Sequence, residues 1–195
     1  EAPYLWYNVT SVTGTNCKAY NSNSYKQPFI SGGYYLEGTK IYWKTTELPY
    51  AMTTSNDTTL AVDVQPGNND RRAVVKQYTF TLTKNTNVYS IKVWRTDSPY
   101  QGATIGSSAN PLLNDAGSET IYYGDTLQGI ATASTGYHFD NSNITTSKSY
   151  SSGSTTANKS WSPTVSINKY TINLNLSVLP SNVTVEDKWL SLEQN

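Results

Sequence analysis

Few residues in this chain could do chemistry. His138 is its one histidine and Cys17 its one cysteine. A histidine-based triad would have to use His138, and a lone thiol closes no intrachain disulfide. In Gly136-Tyr137-His138-Phe139 the histidine alternates with two aromatics. On a strand its side chain therefore points away from theirs, toward solvent. No carboxylates surround it at metal-ligand spacing. Cys17 lies in Gly14-Thr15-Asn16-Cys17-Lys18, a polar, loop-like stretch with no His or second Cys nearby, and reads as an incidental unpaired thiol. Two carboxylates flanking a substrate could hydrolyse a glycoside. Here Glu37, Glu47, Asp57, Asp63, Asp97, Asp115, Glu119, Asp125 and Asp140 are scattered, mostly beside Gly, Asn or Ser, as turn residues are. Asp140-Asn141-Ser142-Asn143 and Asn68-Asn69-Asp70 offer oxygen ligands without the regular spacing of an ion loop. The sequence thus implies no catalytic residue, no metal and no cofactor.

Aromatic side chains are the richer resource, with sixteen Tyr and five Trp. Exposed rings stack on the apolar faces of sugars. Trp43, Trp94, Tyr100 and Trp161 are the ligand-stacking candidates, with Tyr34, Tyr35 and Tyr150 behind them. The competing reading of each is a core residue or a cross-strand pair. Asn-x-Ser/Thr triplets occur at Asn8, Asn56, Asn143, Asn158, Asn175 and Asn182. A chain this rich in Asn, Ser and Thr produces them by chance, so they are no evidence for glycosylation.

The composition indicates which elements carry these residues. Tyr, Thr, Val and Ile suit a pleated, half-buried surface, and Asn, Asp, Gly and Ser supply the turns. Helix formers nowhere gather with apolar residues at three- and four-residue spacing. Of 195 residues only 14% are charged, and 14 Lys+Arg balance 14 Asp+Glu. A nucleic-acid surface needs basic excess, so nucleic acid is not expected as a partner. No stretch is apolar for long enough to span a bilayer as a helix. The chain opens at Glu1 without an apolar signal segment, which reads as a mature or excised piece of a longer product. Low charge and a single Cys suit an extracellular bacterial surface or a virion.

The chain also resembles itself. Tyr7-Asn8-Val9-Thr10-Ser11-Val12, Tyr89-Ser90-Ile91-Lys92-Val93-Trp94 and Tyr170-Thr171-Ile172-Asn173-Leu174-Asn175 share a period-two pattern and predict strands with one buried face. Between them, Tyr35 to Ile41 corresponds to Tyr122 to Leu127, and Tyr50-Ala51-Met52 to Tyr137-His138-Phe139. Asn56-Asp57-Thr58-Thr59 corresponds to Asn143-Ile144-Thr145-Thr146, and Phe80-Thr81-Leu82 to Val165-Ser166-Ile167. Tyr78 to Leu82 and Val88 to Trp94, joined by Lys84-Asn85-Thr86-Asn87, read as an antiparallel hairpin. Tyr89 to Trp94 therefore either closes the first unit or opens the second. Ser147 to Lys159 is low in complexity and reads as a flexible loop. The expected plan is mainly β: two tandem small modules, 1–88 and 89–176, then a tail or linker over 177–195. The tail's Val183-Thr184-Val185 and Glu186 to Leu192 fit a closing strand, a short helix or a linker.

Tyr123-Gly124-Asp125-Thr126-Leu127, followed by Ala131-Thr132-Ala133-Ser134-Thr135-Gly136-Tyr137-His138-Phe139, resembles the motif of the Listeria–Bacteroides repeat. That family, the divergent internalin-B-type B-repeat, is a β-grasp-like module of bacterial surface proteins. Phe80 to Asn85 with Val88 to Ile91 is similar to its closing hairpin. The first unit departs from the motif: Gly38-Thr39-Lys40-Ile41 lacks the Asp, and Leu48-Pro49-Tyr50 lacks the Gly before Tyr. Asp140-Asn141 stands where the family has a Trp. The resemblance implies β-grasp-like modules without catalysis. Beside it, Gly38, Gly124 and Gly136 are candidate turn positions, the last two needing positive φ. Asp125 can bond backbone N–H groups, and Leu127, Ile130, Tyr137 and Phe139 should form the core face.

The function expected from these readings is a non-catalytic extracellular structural or adhesion segment. It would space or present a binding surface against a protein or glycan on another surface, or against neighbouring copies. Two other classes fit the same residues: a phage fibre or capsid-decoration protein, and a carbohydrate-binding module.

Overall fold

The computed structural model describes residues 3–173, and the expectations for the tail at 177–195 lie outside them. The described residues are mainly β and contain no helix. In chain order the first ten strands are β1 (Trp6–Ser11), β2 (Gly14–Thr15), β3 (Cys17–Tyr20), β4 (Gly33–Leu36), β5 (Lys40–Thr45), β6 (Tyr50–Ala51), β7 (Thr59–Asp63), β8 (Gly67–Asn68), β9 (Arg71–Arg72) and β10 (Val74–Val75). Then follow β11 (Gln77–Leu82), β12 (Val88–Asp97), β13 (Leu113–Asn114), β14 (Gly117–Tyr122), β15 (Thr126–Ala133), β16 (Tyr137–His138), β17 (Ser147–Ser151), β18 (Lys159–Trp161) and β19 (Ser166–Ile167).

The first ten strands gather around one core. β1 runs antiparallel to β4, with Tyr7 opposite Tyr35, and parallel to β8. β5 lies between β3 and β7, with Trp43 opposite Ala19 and Leu60. β6 pairs with β10, Tyr50 opposite Val75, and β2 pairs with β9. Alternation on β1 and β5 sends Val9, Ile41 and Trp43 inward, where they meet Cys17, Phe29, Met52, Val64 and Ala73.

The remaining strands repeat this pairing around a second core. β11 runs antiparallel to β14 and parallel to β18, as β1 does with β4 and β8. β15 lies between β12 and β17, as β5 does between β3 and β7, and β13 is added outside β12. β16 pairs with β19, Tyr137 opposite Ile167. Phe80, Ile91, Val93, Ile121, Leu127, Ala131 and Phe139 are fully buried here. Burying a large side chain such as Phe80 or Ile91 contributes about 1.5–3 kcal/mol.

These pairings revise the sequence-level plan. Tyr78–Leu82 and Val88–Trp94 do not form a hairpin: they enter different sheets, each finding partners further along the chain. β11 takes the place of β1, so Tyr7 corresponds to Tyr78, and Tyr89–Trp94 lies on the counterpart of β3. Phe80-Thr81-Leu82 accordingly matches Val9-Thr10-Ser11 rather than Val165–Ile167, whose counterpart is Ala73–Val75. The boundary expected after residue 88 runs through the second core, which includes Phe80, Leu82 and Val88. Ser147–Lys159 is not a loop throughout, since β17 and the start of β18 fall within it. Its Ser/Thr-rich composition hid an edge strand whose outer face is polar.

The landmarks between the strands hold. Gly38 (φ 83°) and Gly124 (φ 84°) occupy the same place in the turns β4–β5 and β14–β15. Each turn closes with a backbone bond, Thr39 N–H to Leu36 O and Asp125 N–H to Tyr122 O, both 3.0 Å. A left-handed third residue in such a turn favours glycine.

Candidate functional site

His138, Cys17 and Asp125 are all buried. His138 is buried rather than solvent-facing, and its Nδ1 lies 2.8 Å from Asn168 Oδ1. β16 is covered on both faces, by the core around Phe139 and by the chain after β19, so alternation exposes neither side. Cys17 is also buried, on β3 rather than in a loop, and burial pushes its thiol pKa up, away from a reactive thiolate. Its polar sequence neighbours gave no hint of that position. Among the described residues, no three His, Cys, Asp or Glu side chains come together as a metal site would need. No described helix is long and apolar enough to cross a membrane.

Asp125 does more than close a turn. Its carboxylate is fully buried and accepts bonds from Arg95 Nε (2.8 Å), the Tyr122 N–H (3.0 Å) and the Ser98 hydroxyl (2.6 Å). Arg95 also donates to the carbonyls of Thr104 and Thr120. The ion pair thereby fastens the long segment after β12 to the β14–β15 turn. Buried charges require such complete pairing. In the first unit Thr39 stands at the Asp125 position, so this device belongs to the second unit alone.

The ligand-stacking candidates separate by burial. Trp43 is 0% exposed and Trp161 9%, so neither offers a ring face to a ligand. Trp161 stacks on Tyr150 with centroids 5.1 Å apart. Of the core-face residues, Leu127 and Phe139 are buried and Tyr137 packs at the core edge. Ile130 is exposed instead, because β15 turns it to the sheet's outer face. Trp94 lines a shallow surface depression with Gln128, Ile130 and Tyr150. Tyr100 is 45% exposed and meets Tyr123 edge-on at 5.7 Å. The structure does not bring the four candidates together into one surface. Gly136 has the left-handed φ of 84° expected of it, while Pro49 makes the equivalent turn in the first unit without positive φ.

The most elaborated surface geometry lies where the two cores meet. Lys76 alone separates β10 from β11. Its N–H donates to Pro49 O, and its carbonyl accepts from the Tyr123 N–H, both 2.9 Å. The next residue is held twice: the Gln77 N–H donates to Asn56 Oδ1 (2.8 Å), and Asn56 Nδ2 donates to the Gln77 carbonyl (2.7 Å). Asn56 has φ 66°, a left-handed conformation that Asn tolerates better than most residues. Val75, just before the crossing, is only 6% exposed. Tyr50 meets Tyr100 across the boundary, edge-on at 6.4 Å.

Compared with family models, curated proteins and solved structures, the chain has no match. The resemblance to the Listeria–Bacteroides repeat therefore rests on its residues alone. No individual signal in the sequence marked Lys76 or Gln77. The correspondence of Asn56 with Asn143 was the one trace of the junction visible beforehand.

Proposed function

We propose that this chain is a non-catalytic structural segment of an extracellular, bacterial surface polypeptide, in which β units joined end to end space or present a binding surface. The observation that carries the reading is the junction at Lys76–Gln77. Two backbone bonds, a two-point Asn56 clamp and a buried Val75 tie the units across a single connecting residue. Flexible spacers are built from Gly- and Ser-rich linkers, which lose such bonds to solvent. A fastened junction transmits orientation and load from one unit to the next. Low charge and the resemblance to a surface repeat support the extracellular setting.

The test combines location with mechanics. Antibodies raised against the chain should label intact source cells, and residual dipolar couplings should fit both units with one alignment tensor. Separate tensors for residues 6–75 and 77–167 would sink the spacer reading. A defined trimer or ring would point instead to virion assembly. Glycan binding lost in Tyr100→Ala would point to carbohydrate recognition.

A further inference from the structure

The Asn56 clamp has a second copy. Beyond β19 the Asn168 N–H donates to Gly136 O (2.8 Å), as Lys76 does to Pro49 O. The Lys169 N–H then donates to Asn143 Oδ1 (3.3 Å), and Asn143 Nδ2 donates to the Lys169 carbonyl (2.6 Å). Lys169 is therefore gripped as Gln77 is, by the Asn at the corresponding loop position. The residues that follow also match. Tyr78-Thr79-Phe80-Thr81-Leu82 opens the second unit, and Tyr170-Thr171-Ile172-Asn173-Leu174 follows Lys169 with the same alternation.

The two junctions differ in cover. Val75 is 6% exposed, whereas its counterpart Ile167 is 49% exposed. Tyr170 and Ile172 are exposed at 70% and 53%, yet Phe80, the counterpart of Ile172, is fully buried. Ile167 and Ile172 thus stand exposed at the positions where Val75 and Phe80 are covered by the second unit. We infer that residues 170–173 begin the opening strand of a third β unit of the same plan, and that the face around Ile167 is the seat for that unit. Its occupant supplies one antiparallel and one parallel strand to flank residues 170–173, as β14 and β18 flank β11. This inference rests on the tandem-unit reading above.

Thiol labelling at the two junctions tests it. Ile167→Cys is compared in the 195-residue chain and in a chain where residues 83–167 follow Leu174 in place of residues 175–195. Val75→Cys in the 195-residue chain reports the first junction. Ile167→Cys should label at least about tenfold more slowly in the extended chain, and Asn143→Ala there should restore fast labelling, since a closed interface reacts only by opening. Equal labelling of Ile167→Cys in both chains, with Val75→Cys slow, overturns the third unit while leaving the tandem reading intact. Fast labelling of Val75→Cys defeats both. Amide exchange at Lys169 in the 195-residue chain gives a second readout: Asn143→Ala should accelerate it as Asn56→Ala accelerates exchange at Gln77, and an unchanged rate at Lys169 alone counts against the clamp.

Discussion

Trp161 lies over Gly129 so closely that a Cβ added to the glycine would sit 2.8 Å from the indole Cζ3. Gly129 is the fourth residue of β15, and the fourth residue of β5 is Trp43. Each unit therefore has one large indole in its core, but delivers it from a different strand. In the first unit it rises from the central strand. In the second it comes from β18, and the central strand gives way with a glycine.

That exchange predicts that neither member of the Gly129–Trp161 contact tolerates substitution. Gly129→Ala also brings its Cβ to 2.7 Å from the Lys92 carbonyl oxygen, which is backbone and cannot swing aside. The substitution should cost about 1–3 kcal/mol through overpacking. Trp161→Ala should cost about 3–5 kcal/mol through the lost ring and the cavity it leaves. Urea denaturation midpoints measure both. A Gly129→Ala protein as stable as the parent would show that the sheet there is not closely packed.

Breaking the Arg95–Asp125 pair should be severe. Asp125→Ala strands a guanidinium that is 5% exposed. Removing one partner of a buried pair costs about 3–5 kcal/mol, whereas replacing both by apolar residues is often neutral. Arg95→Met with Asp125→Leu should therefore be more stable than Asp125→Ala alone. Denaturation midpoints of the three proteins decide it, and a double variant weaker than the single would refute the desolvation argument.

Asp70 links stability to acid. The Ser11 hydroxyl and the Thr13 N–H donate to its Oδ1, both at 2.6 Å, and the Ser11 bond most of all holds its pKa below the ordinary carboxylate value. A depressed folded pKa gives stability that is present above the unfolded pKa, about 3.9, and is lost as pH falls through the lower folded value. Asp70→Asn should remove that part of the acid dependence while leaving the rest. Urea midpoints of both proteins, followed from neutral pH down to about 2.5, should converge at the acid end. A constant gap would refute the linkage.

Several features were legible without coordinates because they are local. The left-handed turns at Gly124 and Gly136 follow from what glycine alone tolerates. The mainly β character follows from alternation in segments such as Val88–Trp94 and Tyr78–Leu82. Partner choice was not legible. Those two segments alternate, are joined by turn residues and look like a hairpin, yet each pairs with strands further along the chain. The burial of His138 and Cys17 is illegible for a related reason, since their own neighbours do not say what covers them. Trp43 and Trp161 read equally well as ligand platforms or as core, and only packing distinguished the two.

The amino-acid order by itself determined the strand-and-turn vocabulary and the recurrence of its landmarks, since backbone sterics and period-two burial act over a few residues. Tertiary structure alone decided where one unit ends and the next begins, which indole fills which core, and that Asn56 grips Gln77. Those outcomes depend on groups distant in sequence competing for the same buried space and the same backbone bonds.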